Sequence, residues 1–144
     1  MPQRKENTDY RPPEPKCWVY RTPEGWLIYA GKTDADNDLL SLRFARAGEH
    51  WFHINGMPGS HVLLRAPEDA ENTEAGKELL EKAAAVAAWH SKARNGGWCT
   101  VSTCLAQNVS KPHGAKPGLV EIASSRLIKV KPSIEGLVPV EVRG

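Results

Sequence analysis

The order of sequence patterns predicts an α+β fold: a mostly antiparallel sheet with one long Ala-rich helix packed on a face. Short apolar runs rich in β-branched and aromatic residues, separated by Gly, Pro, Asn and Asp, come first. A single alanine-rich stretch at helical spacing follows, and then more strand-like runs. At 144 residues, 40% hydrophobic and 25% charged, the chain can bury one core without disulfides or a structural metal.

Residues 1–16, "MPQRKENTDYRPPEPK", carry Pro and charge but nothing for a core, and read as a flexible tail without the apolar segment of a secretory signal. The domain is expected over 17–132, with 133–144 as a C-terminal extension. "CWVYR-TPEG-WLIYAG" reads as a β-hairpin about a Pro-Glu-Gly turn. "GKTDADND" reads as a loop, because Asp and Asn compete for backbone hydrogen bonds. "LLSLRFARAG" places Leu39, Leu42 and Ala45 at helical spacing, so a short helix closed by Gly48 is expected. "HWFHI" and "HVLLR" read as strands across Pro58-Gly59.

The helix is expected in "NTEAGKELLEKAAAVAAWHSKARNGG", capped by Asn72 or Thr73 and ended by Asn95-Gly96-Gly97. Leu79, Ala83, Val86 and His90 form one stripe, and its many alanines permit close approach to a sheet. "WCTVSTCLA" and "GLVEIAS-SRLIKVKP" read as further strands, the latter a tight hairpin about Ser124-Ser125.

Composition narrows the function. No apolar run approaches the roughly 20 residues of a membrane span. Three cysteines without framework spacing fit a reducing cytoplasm. Net charge is only +2, yet acids dominate from Glu68 to Lys82 and bases from Lys92 to Lys131. That asymmetry suggests one side facing an anion and one facing water.

Chemistry concentrates in "EHWFHINGMPGSHVLLR". His50, His53 and His61 could ligate zinc, but residues three apart on a strand face opposite sides, and Cys99 and Cys104, five apart, also diverge. No metal or other cofactor is expected. Ser60 and His61 are adjacent and point apart, so they are not an activated nucleophile on their own, and no catalytic residue is assigned. The alternative is a hydrolytic or tRNA-modifying enzyme using His53, Ser60 and His61. The favoured reading is anion binding, in which the Pro58-Gly59-Ser60 backbone, the Ser and His donors and Arg65 hold phosphate oxygens. "VSKPHGAKPGLV" supports it, since each Pro stiffens the preceding Lys111 or Lys116 into an extended, pre-ordered cation. Trp51, Phe52, Trp89 and Trp98 are expected in the core rather than as stacking platforms.

These three motifs, "HWFHINGMPGSHVLLR", the helix ending in "HSKARNGG" and "VSKPHGAKPGLV", resemble the RNA-binding R domain of the NFACT family. The resemblance runs from about Trp26 to Lys131 and includes Gly31, Lys32, Asn37 and Asp38 of "GKTDADND". Members of this family are ribosome-associated quality-control factors, whose bacterial representatives long carried a fibronectin-binding label. It implies RNA as ligand, tRNA or ribosomal RNA, with the ribosome or an RNA-modification enzyme as protein partner, no membrane, and no established catalysis in this domain. Its motif positions here are His53, Pro58, Gly59, Ser60, His61, Arg65, Lys111, Pro112, Gly114, Lys116, Pro117 and Gly118. The full-length pattern adds an N-terminal domain, helix-hairpin-helix segments and a coiled coil. The present sequence shows none of them and resembles a stand-alone version. Residues and resemblance together give an expected RNA contact set of Lys32, Asn37, Asp38, His53, Gly59, Ser60, His61, Arg65, Lys92, Arg94, Lys111, His113 and Lys116.

Overall fold

Side chains alternate across a strand, so each strand here divides its residues between two layers. The computed structural model describes residues 14–70 and 73–141, so most of the expected tail lies outside it. Strands β1 (Cys17–Arg21), β2 (Leu27–Gly31), β3 (His50–Ile54), β4 (Val62–Arg65), β5 (Cys99–Leu105), β8 (Arg126–Val130) and β9 (Val138–Val140) form one sheet. Its order is β8-β5-β3-β4-β2-β1-β9, and every pairing is antiparallel. Strands β6 (Val109–Ser110) and β7 (Glu121–Ile122) form a separate ribbon.

Tyr20, Ile28, Ala30, Phe52, Ile54, Val62, Leu64, Val101 and Val130 face the helix α2 (Lys77–Trp89). They pack on Leu80, Ala83, Ala84, Val86, Ala87 and Ala88, whose short side chains bring the helix close to the sheet. The opposite face buries Cys17, Val19 and Leu63 against Leu40, with Trp51, Cys104 and Val109 in a neighbouring cluster.

The helix is a correction. It is Ala-rich and covers one face, but it has 13 residues and is not long. It begins after Gly76, and the expected cap Asn72 lies outside the described residues. It stops at Trp89 because the following backbone is claimed elsewhere. The His90 carbonyl accepts from Ser60 N, Lys92 N donates to the Pro58 carbonyl, and Ser91 bridges Gly59. Tertiary pairing thus overrides a helical pattern that continues to Arg94.

"GKTDADND" is not a loop but opens a helix, α1 (Asp34–Leu39). Thr33 caps it, accepting from Asp36 N at 3.1 Å and donating to Asp36 Oδ2 at 2.7 Å. A π-helical turn follows at Leu40–Phe44, ending at Ala45 rather than Gly48. The expected hairpin at 118–132 does not form either. β7 pairs with β6 and β8 with β5, and Ser124 takes a φ of 54° between them. Within the expected extension, Val138–Val140 adds an edge strand to β1.

Candidate nucleic-acid interface

Four connections meet at the end of the sheet where β3 leaves and β4 enters. The first is Gly31–Asp38, leading into α1. Residues 55–61 join β3 to β4, 90–97 follow α2, and 111–120 lie between the two ribbon strands. Their polar groups bind one another. His61 N donates to Asn37 Oδ1 at 3.0 Å, and the His61 carbonyl accepts from Gly31 N at 3.1 Å. Ser60 Oγ donates to the Gly31 carbonyl at 2.6 Å. Gly59 lies so close to Ser91 that a Cβ there would come within 2.7 Å of the Ser91 Cβ.

The Lys111–Gly118 loop joins through α1. Asp38 accepts from Gly118 N at 3.1 Å and from the Lys111 ammonium at 3.0 Å. Lys111 also donates to the carbonyls of Lys116 and Leu119, so it folds its own loop instead of projecting. Arg65 requires a larger correction. It is buried at the far end of β4, with its Nε 2.6 Å from Glu49 and Nη2 on the Phe44 carbonyl. Neither cation is presented to a ligand.

His61 and His53 are not cations at neutral pH. Burial, helped by the neighbouring His53, pushes His61 down to about 4, and its Nδ1 lies 2.7 Å from Ser41 Oγ. Burial also lowers His53. Ser60 and His61 each have other partners, so the geometry does not make Ser60 a nucleophile activated by His61. Among the described residues no group of three His, Cys, Asp or Glu could hold a metal ion.

What the corner does present is a cleft of about 340 Å³ lined by Gly59, Ser60 and Asn37 at its base and by Lys32, Lys92 and Arg94 at its rim. All three rim cations are exposed, and the described ion pairs include none of them. Trp18 completes the rim. It is 40% exposed, stacks on His90 with ring centroids 4.2 Å apart, and has Lys32 Nζ 5.5 Å from its own centroid. His90 is held by Tyr20 Oη at 2.8 Å, and burial, with Arg94 nearby, lowers it to about 4. Reading the sequence alone missed Trp18. It shares the helix-facing side of β1 with Tyr20, and only the early end of α2 leaves it uncovered.

His53 and His61 instead line a second hollow of about 230 Å³ with Asn55, Ser102 and Leu119. His113 and Lys116 stand exposed on their loop, outside both hollows. Trp98 is not core either, being 61% exposed.

A seven-stranded antiparallel sheet with one covering helix defines a small domain of α+β type. The chain belongs to the family described as NFACT protein RNA binding domain, whose model matches residues 16–124. It is 32% identical over 136 residues to Rqc2 homolog RqcH of Bacillus subtilis, covering 94% of this chain and 23% of that protein. Rqc2 homolog RqcH of Streptococcus suis is 36% identical over 107 residues, covering 74% and 18%. The solved C-terminal part of the fibronectin/fibrinogen-binding protein from Streptococcus suis matches with a TM-score of 0.75 at 30% identity, covering 94% of this chain and 52% of that one. The chain spans about a fifth of the length of the curated relatives it matches. No helix among the described residues is long and apolar enough to cross a membrane.

Proposed function

We propose that this chain binds structured RNA, tRNA or ribosomal RNA, through phosphates held in the cleft between Trp18 and Arg94. The observation that carries this reading is the rim itself. Lys32, Lys92 and Arg94 converge from two segments on one hollow, exposed and outside the described ion pairs. Unneutralised cations converging on a hollow favour a polyanion, and contacts to phosphate position RNA without reading its sequence. The buried corner beneath serves as a rigid seat, since Asn37, Ser60, His61 and Asp38 bond to the protein. Membership of the RNA-binding family and likeness to proteins named Rqc2 homolog RqcH support a role in ribosome-associated quality control or related RNA metabolism. The ribosome or an RNA-modification enzyme as partner, and the cytoplasm as compartment, belong to the same reading.

The test is a filter-binding titration of tRNA across salt concentrations. Each phosphate contact releases about 0.7–0.9 counterions, so three give a slope of about −2 to −3 in log K against log salt. An affinity indifferent to salt overturns the proposal.

A further inference from the structure

A second basic and aromatic surface lies on the other side of the Asn55–Ser60 connection, on the sheet face away from α2. Trp98 precedes β5, and β8 runs beside it with Cys99 opposite Val130 and Thr100 opposite Lys129. That register places Lys129 and Lys131 at the β3–β4 end of the sheet, where Asn55 N donates to the Thr100 carbonyl. Their ammonium groups lie 5.8 and 5.2 Å from the Trp98 ring centroid. Leu127, opposite Ser102, is 58% exposed on the same face. The hollow lined by His53, Asn55 and Ser102 adjoins this corner, because Ser102 and Leu127 are register partners.

An indole this open, flanked by two cations on an edge strand, departs from what burial of apolar surface would select. It matches what unpaired nucleotides need: a π surface for a base and positive charge for the phosphates beside it. A short stretch of chain also tethers this surface to the first cleft. Arg94 on the cleft rim and Trp98 are four residues apart, a reach of at most about 14 Å along the chain, across a turn closed by Gly96 N on the Ala93 carbonyl.

We infer that the β5–β8 corner takes an unpaired segment of the RNA whose structured part sits in the first cleft: a base stacks on Trp98 while Lys129 and Lys131 hold the flanking phosphates. The inference rests on the RNA reading above and adds the class of RNA, one with a single-stranded extension beside a folded part.

The experiment compares two probes on the full chain, a blunt RNA hairpin and the same hairpin with a single-stranded extension. The wild type binds the extended probe more tightly. Trp98→Ala abolishes that gain, a loss of about 5- to 150-fold for one stacked base, and leaves the blunt hairpin unaffected. Trp98→Phe restores most of the gain, and Lys129→Ala with Lys131→Ala reduces both the gain and its salt dependence. Because Trp98 is exposed, these variants fold, which a thermal melt verifies. Equal binding of both probes by the wild type, or a gain that survives Trp98→Ala, overturns the inference while the first cleft stands. Failure of the wild type to bind either probe overturns the RNA reading and this inference together.

Discussion

The carboxylate of Asp38 lies 3.0 Å from the ammonium of Lys111, joining α1 to a loop 73 residues further along the chain. The same carboxylate holds Gly118 N, and the same ammonium holds two carbonyls of its own loop. The two lysines of "KPHGAKPG" are therefore not equivalent. Lys111→Ala removes the countercharge of a partly buried carboxylate and the donor to two carbonyls, a loss of about 1–3 kcal/mol. Lys116→Ala, at an exposed side chain, leaves stability within about 0.5 kcal/mol. Urea midpoints of the two single variants check this, with equal midpoints as the contrary result.

Arg65 and Glu49 make a second ion pair, with both side chains nearly buried at 11% and 13% exposure. Glu49 receives two guanidinium nitrogens, and the Phe44 ring lies 4.1 Å beneath the guanidinium carbon. Removing one partner strands the other charge, so Arg65→Ala costs about 3–5 kcal/mol. Arg65→Lys recovers little, because an ammonium cannot reproduce the fork and the stack. RNA affinity of the folded fraction stays at the wild-type value. A filter-binding assay after correction for the folded fraction measures it.

His61 and His90 set an acid limit. An ordinary histidine titrates near 6.5, whereas burial holds His61 at about 4. Between those values the unfolded chain binds a proton that the folded chain refuses, so stability is full above about pH 6.5 and declines as pH falls toward 4. For His61 the loss is on the order of 3 kcal/mol, and His90 adds to it in the same window. Denaturant melts at half-unit pH steps should show this slope, and His61→Asn should lessen it. RNA affinity should stay flat from pH 7 to 8, where these groups are neutral.

Most strands were readable because β-branched and aromatic residues alternate between turns, and that signal is local. The missed elements depend on distant partners. Residues 121–130 contain two strand patterns and a Ser-Ser turn, yet β8 is drawn to β5 and β7 to β6. α1 had a local sign in Thr33 and Asp36, which cap each other, but its Asp and Asn content resembles a loop. The corner shows a further limit. Ser60, His61, Arg65 and Lys111 are donors whether they serve a ligand or the fold, and residue type does not say which. Only the positions of Gly31, Ser41, Glu49 and Asp38 decide, and these come from elsewhere in the chain.

The cleft cations carry the remaining prediction. Lys32 and Lys92 are exposed, so replacing each by Ala should leave the melting temperature nearly unchanged, whereas Arg94→Ala should lower it slightly because Arg94 donates to the Trp89 carbonyl at the end of α2. Each replacement should weaken binding of every RNA sequence alike and reduce the salt slope by about 0.7–0.9. Trp18→Ala should behave differently. Its ring carries no charge, so the slope stays while affinity falls by about 1–3 kcal/mol if a base stacks there. Loss of its contact with His90 should cost stability as well, which the melt reports separately. Salt titrations of the four variants beside the wild type distinguish charge from stacking. Unchanged slopes in all three cation variants would show that RNA phosphates do not occupy this cleft.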